Sequence, residues 1–150
     1  MSTTIEWLGQ AGFVIRSGSS GVAIDPFLSE YPGRRFRAPI DHRGLAGLDL
    51  VLVTHEHADH FDVPALLALC EADPLVRFVL PSPLLASAIN AGFPQERLVW
   101  VQPGDRFKAG GMTVDVVGAL HGTHSADAYT FGLPEDGPTV IPPALNRSPG

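Results

Sequence analysis

Cysteine is nearly absent from this sequence. Cys70 stands alone, so no internal disulfide can form and a reducing cytoplasm is the expected compartment; the thiol itself is expected only to pack. Long hydrophobic runs are missing as well. Nothing approaches the ~20 apolar residues of a membrane-spanning helix, and Met1-Ser2-Thr3-Thr4 carries no basic segment of the kind that opens a targeting signal, so a soluble protein with no membrane partner is expected. Positive charge is the third scarcity: 10 Lys and Arg face 16 Asp and Glu, a formal charge of -6. Nucleic-acid binding needs clustered cations to release the counterions around phosphates, and the only basic cluster is Arg34, Arg35 and Arg37. A solvated loop is the expected reading of that cluster, with contact to one anionic substrate group as its alternative.

What the chain does have is an apolar fraction of 45% over 150 residues, enough for the core of one domain. With 16 Gly and 14 Pro it turns often, so short elements between well-marked loops are expected. The runs Ile5–Leu8, Phe13–Arg16 and Val22–Ile24 predict a β-meander closed by Asp25-Pro26, with a polar loop to about Leu45. The aliphatic stretch within Asp49–Thr54 predicts a strand buried on both faces. A helix capped by Asp62 comes next, with Pro64 in its first turn and Leu66, Leu67, Leu69 and Cys70 on its apolar face. A strand over Val76–Leu80 and a helix over Pro83–Ala91, ended by Gly92, complete an alternation that predicts a layered α/β architecture. Leu98–Val101, Arg106–Lys108 and Met112–Val117 predict a second, antiparallel group of strands. The expected domain covers residues 1–132; residues 133–150 are Gly- and Pro-rich, Pro142-Pro143 stops any strand begun at Thr139–Ile141, and a disordered tail is expected there.

The chemistry is concentrated at the end of the buried strand, in Thr54-His55-Glu56-His57-Ala58-Asp59-His60. In extended backbone His55 and His57 point to the same side, so both imidazoles can reach one cation. Asp59 and His60 follow where the chain must turn into the helix, and their side chains can reach a second cation beside the first. A single histidine here would be an ordinary surface-loop residue. Three of the chain's six histidines beside an aspartate, directly after a buried strand, point instead to a divalent-metal site. Two imidazoles seldom hold zinc well. His121, at the end of the strand predicted from Met112, is the expected third ligand, and His124, in Gly122-Thr123-His124-Ser125, is its rival.

His55-Glu56-His57-Ala58-Asp59-His60 resembles the His-x-His-x-Asp-His signature of the metallo-β-lactamase superfamily. Trp7-Leu8-Gly9-Gln10-Ala11-Gly12-Phe13 and Ile24-Asp25-Pro26-Phe27-Leu28 are similar to the branch that includes L-ascorbate-6-phosphate lactonase, and the similarity runs from about Thr4 to His121. The resemblance implies an αββα sandwich of which this chain carries the first αβ half. It implies that His55, His57 and His121 bind a first metal and that Asp59 and His60 bind a second, with Zn2+ or Mn2+ as the ion and one or two ions per chain. Asp25 would be a buried support that accepts a hydrogen bond from the motif loop and orients a ligand, as outer-shell carboxylates do. The implied chemistry is metal-assisted hydrolysis, with Asp59 orienting the attacking water. A small-molecule ester, lactone or phosphorylated sugar is the expected substrate.

Members of that superfamily continue into a second αβ half that supplies a metal-bridging aspartate and a final histidine. No further histidine follows His124, and Asp127 and Asp136 stand in no matching context. The chain is therefore expected to be truncated or altered there, leaving an inner apolar face that a second copy could cover as a homo-oligomer. The alternative expectation is a non-catalytic, metal-binding fragment. A nuclease ranks last, because basic and aromatic clusters for a nucleic acid are missing. A Ser-His-Asp hydrolase is not expected, since no serine stands in a Gly-x-Ser-x-Gly elbow.

Overall fold

The computed structural model describes residues 2–119. Three glycine-bounded strands open the chain, β1 (Thr3–Gly9), β2 (Gly12–Ser17) and β3 (Ser20–Ile24), paired antiparallel in sequence order as the meander reading expects. The loop that follows is not entirely irregular: a short 3-10 turn over His42–Leu45, capped by Asp41, drops Leu45 into the core. β4 (Leu50–Leu52) then enters beside β3, and the chain runs on through α1 (Val63–Ala72), β5 (Arg77–Pro81), α2 (Leu85–Ala91) and β6 (Leu98–Val101). The six strands form one sheet in the order β1-β2-β3-β4-β5-β6, with every pair from β3 onward parallel.

The alternation of side chains along β4 shows why the sheet is covered on both faces. Val51 and Val53 point into a cluster with Leu66 and Leu69 of α1, Leu84 and Ala88 around α2, and Leu45. Leu50 and Leu52 point the other way, into a cluster with Val22, Val79, Val101 and Ala109. A two-residue side-chain period with apolar residues at every position is what a doubly covered strand requires. Helices cover the first face; the second meets an antiparallel hairpin, β7 (Arg106–Ala109) and β8 (Met112–Asp115). Phe107, Met112 and Val114 pack against that second cluster.

Two expectations change here. Leu98–Val101 does not belong to the second, antiparallel group but is the parallel edge of the main sheet, because α2 carries the chain back across the sheet after β5. The strand expected from Met112 through Val117 ends at Asp115.

Cys70 packs against the helix-side core, and burial raises its thiol pKa further than the nearby Arg97 lowers it. Among the described residues no helix is long and apolar enough to cross a membrane.

Candidate metal centre

The histidine loop begins where β4 leaves the sheet, at the carboxyl end of the parallel strands, where open α/β sheets present their ligands. Hydrogen bonds hold this exit from both sides. Val53 N–H donates to Val79 O at 2.9 Å, and Asp25 N–H donates to Leu52 O at 2.9 Å. Thus Asp25, the residue after β3, lies directly beside Thr54. His55 and His57 sit in a bend rather than in the strand itself, yet both are half-buried while Glu56 and Ala58 between and after them are exposed. A turn closes the loop, with His60 N–H and Phe61 N–H both donating to His57 O, at 2.9 and 2.7 Å. Buried Phe61, stacked on Phe93 at 5.6 Å between ring centroids, anchors its far end.

Asp25 organises the imidazoles. Only 3% exposed, its carboxylate accepts from Thr54 N–H at 2.7 Å, from the Thr54 hydroxyl at 2.6 Å and from His60 Nδ1 at 2.7 Å. A carboxylate here only accepts, so His60 carries a hydrogen on Nδ1, and its neutral ring keeps the lone pair on Nε2. Thr54 spends its one hydroxyl hydrogen on Asp25. Its oxygen therefore accepts from His55 Nδ1 at 3.0 Å, which leaves the His55 lone pair on Nε2 as well. Burial lowers the His60 pKa, but the Asp25 hydrogen bond and the charges of Asp25 and Asp59 outweigh it, and the net shift is upward.

His55 Nε2 and His57 Nδ1 face one another at 3.0 Å, and the His55 ring lies 3.9 Å from that of His60 between centroids. Two imidazole nitrogens on one tetrahedral zinc ion lie about 3.3 Å apart, given Zn–N distances of roughly 2.0–2.1 Å. The pair is thus already spaced as two ligands of one ion, and the donor set of imidazoles with a carboxylate suits zinc, manganese or iron. Among the described residues no three such side chains close on one point. His121, the expected third ligand, and its rival His124 lie outside the described residues, as do Asp127, Asp136 and the whole of 133–150.

Asp59 stands beside this pair, its Oδ2 3.7 Å from His60 Nε2. It is held by Gln10, which lies between the expected runs Ile5–Leu8 and Phe13–Arg16: its Nε2 donates to Asp59 Oδ2 at 3.0 Å. Gln10 and Asp25 are the only described non-glycine residues with φ in the left-handed region, at +52° and +43°. Such strain persists where surrounding structure over-determines it, commonly at functional sites, and both residues touch the histidine loop. Gly12 belongs to the same construction, since a Cβ there would meet the Asp25 carbonyl at 2.9 Å.

Residues 21–140 match the family model for the beta-lactamase superfamily domain. The chain belongs to that superfamily. Within it, the chain is 33% identical over 145 residues to a UPF0173 metal-dependent hydrolase of Anaeromyxobacter dehalogenans, an overlap covering 91% of this chain and 49% of that protein. The chain spans about half the length of the curated relatives it matches. Among solved structures it is similar to CmlA, a diiron beta-hydroxylase from Streptomyces venezuelae, with a TM-score of 0.59 and 25% identity over 79% of this chain and 24% of that one. It also shares the fold of the metallo-beta-lactamase fold protein YhfI from Bacillus subtilis, with a TM-score of 0.52 and 15% identity over 75% of this chain and 46% of that one. The beta-lactamase superfamily architecture expected from the histidine signature is thus the observed one, and the helix-covered sheet with a hairpin beginning on its other face is its αβ portion.

Proposed function

We propose that this chain is the metal-binding part of a metal-dependent hydrolase acting on a small-molecule ester, lactone or phosphorylated sugar. The observation that carries the reading is the tautomer control at the strand end. Asp25 and Thr54 turn the lone pairs of His55 and His60 to Nε2, an arrangement useful to a cation and of no evident use to a packed core. UPF0173 relatives are named metal-dependent hydrolases, which supports the reaction class. The lactonase-like branch rests on the Trp7–Phe13 and Ile24–Leu28 segments.

A divalent cation supplies Lewis acidity at such a site, lowering the pKa of water toward ~7 and polarising the scissile oxygen. His55 through Nε2 and His57 through Nδ1 would hold it, His57 giving up the hydrogen it now directs at His55. His60 would take part through Nε2, with Asp25 retaining its Nδ1 hydrogen. His121 remains the proposed third imidazole for the first ion, and Asp59 with His60 the holders of a second. Asp59, steadied by Gln10, would orient the attacking water by accepting its hydrogen bond. The small size of the substrate fits a chain whose surface has few clustered cations for a nucleic acid.

Metal content per chain, measured by mass spectrometry on folded, gel-filtered protein, tests this. About one ion or more, lost in His55→Ala, is the expected result, followed by turnover of lactones or phosphoesters that needs the ion. Metal binding without turnover of any such ester favours the non-catalytic alternative. Folded protein that binds no ion overturns the reading.

A further inference from the structure

Beside Asp59 and His57 opens a cleft of roughly 940 Å³, within the range that small-molecule sites occupy. One wall is Trp7 of β1 with the strained turn at Gln10; the other is the loop bearing Tyr31, Arg35, Phe36 and Arg37. The composition of that second wall is unusual for this protein. Three of its ten basic residues fall within Arg34–Arg37, although the chain is acidic.

The three arginines are not equivalent. Arg34 is a strut: its Nη1 donates to the carbonyls of Phe27 and Ser29 at 2.9 and 3.0 Å, its Nε donates to Phe36 O at 2.7 Å, and its guanidinium lies 4.6 Å from the centre of the Phe27 ring. It shapes the loop and has little left for a ligand. Arg37 meets Glu30 at 3.1 Å, with both side chains largely exposed, a pairing of the kind that contributes almost nothing and exchanges freely. Arg35 has no ion pair or hydrogen bond among the described residues. Around these two cations stand apolar surfaces that face solvent: Trp7 is 64% exposed, Tyr31 56% and Phe36 83%.

We infer that this cleft binds the part of the substrate that is not cleaved, and that this part is an anionic group, carboxylate, phosphate or sulfonate, on an aromatic or apolar body. Guanidinium groups match such anions bidentately, and exposed aromatic faces gain by stacking on a planar body. The inference deepens the hydrolase reading and rests on it, because it takes Asp59 and His57 as the reacting end of the cleft. It narrows the substrate class to anionic molecules.

Calorimetric titration of the 150-residue chain with 1-naphthalenesulfonate, which carries no hydrolysable ester, tests the cleft without relying on turnover. Neutral 1-naphthol and inorganic sulfate serve as the two half-probes. Saturable binding of the sulfonate is expected, at least tenfold tighter than either half-probe, weakened at least tenfold in Arg35→Ala/Arg37→Ala and again in Phe36→Ala. These side chains are exposed, so unchanged melting temperatures are expected to accompany the loss. Binding that is equally tight in the double variant, no tighter than for naphthol, or absent altogether overturns the inference. Metal content separates the two readings: sulfonate binding by folded protein that takes up no divalent ion when one is offered leaves the cleft standing while the hydrolase reading fails. A metal-loaded chain that ignores the sulfonate does the reverse.

Discussion

The carboxylate of Asp25 receives the Nδ1 hydrogen of His60 at 2.7 Å across 35 positions of sequence, so the end of one strand determines which nitrogen a histidine on the next loop can offer. With Thr54 between them, the same carboxylate sets His55. Asp25 acts on the imidazoles through its hydrogen bonds, and in the proposed function it is a positioning residue. Its backbone φ of +43° suits asparagine better than other replacements, since Asn tolerates the left-handed region.

Asp25→Asn should therefore fold but lose its command of the tautomers, because an amide can donate as well as accept. Metal affinity is expected to fall by roughly 10–100-fold, the usual effect of losing an outer-shell partner. A competitive chelator titration measures it. The nitrogen chemical shifts of His55 and His60 should move toward mixed tautomers in the metal-free protein, a change that a purely structural role for Asp25 does not produce. Unchanged affinity with unchanged shifts would remove Asp25 from the site.

Gln10 offers a sharper separation of binding from chemistry. Its amide fixes Asp59 Oδ2 at 3.0 Å, and Asp59 is not one of the imidazoles proposed to hold the first ion. Gln10→Asn shortens the side chain by one methylene and keeps a residue that accepts φ near +52°, so the hydrogen bond should break without a backbone penalty. The expected result is full occupancy of the first metal site and kcat lowered by about tenfold, within what a misplaced reacting group costs. Equal kcat in the variant would show that Asp59 needs no such support.

How much of this was legible beforehand depends on sequence separation. The His55–His60 cluster could be read because its members are contiguous, and the doubly buried strand because Leu50, Val51, Leu52 and Val53 are all aliphatic. Thr54 and Gln10 could not be assigned roles, since a threonine at a strand end and a glutamine in a turn have ordinary local explanations. Their contacts span 29 and 49 positions. The direction of β6 is not legible locally for a related reason: Leu98–Val101 has the same pattern whether parallel or antiparallel, and only the crossover through α2 decides it. Arg34 looked like a solvated loop residue, and its three bonds to backbone carbonyls become visible only once the loop is folded.

Asp73 gives the fold a pH dependence remote from the histidines. Backbone N–H groups of Gly47 and Leu75 donate to its carboxylate at 2.8 and 2.9 Å, and these bonds, Gly47 first, hold its pKa below the ordinary carboxylate value against the opposing effect of burial. A depressed folded-state pKa means that the unfolded chain binds the proton first as pH falls. The stabilisation is therefore complete above the ordinary carboxylate range and disappears as pH drops through it toward the lower folded value. Melting temperatures of the wild type and Asp73→Asn are expected to differ at pH 7 and to converge as pH falls below the ordinary carboxylate range. Parallel curves over that window would mean that Asp73 does not titrate with folding.

Asp62 is more than the helix cap that its position suggests. It caps α1 through Ala65 N–H at 3.2 Å, but its carboxylate also accepts from Leu28 N–H and Ser29 N–H, each at 2.7 Å, and from the Ser29 hydroxyl at 2.6 Å. At 2% exposure, removing it leaves several donors unpaired in a dry place. Hydrogen bonds to charged groups contribute about 1.5–3 kcal/mol each, and an N-cap alone about 1 kcal/mol. Because Asp62 ties the loop after Asp25 to the first turn after His60, its loss should also loosen both sides of the histidine pocket. Asp62→Ala is expected to lose about 3–5 kcal/mol in denaturant unfolding, well beyond a cap. Asp62→Asn, which keeps the size and can still accept, should lose less. If Asp62→Ala instead costs only the ~1 kcal/mol of a missing cap, the bonds to Leu28 and Ser29 contribute nothing net, and the loop after β3 is held by its other contacts, among them Arg34 and the packing of Leu28 and Ile40 on the core.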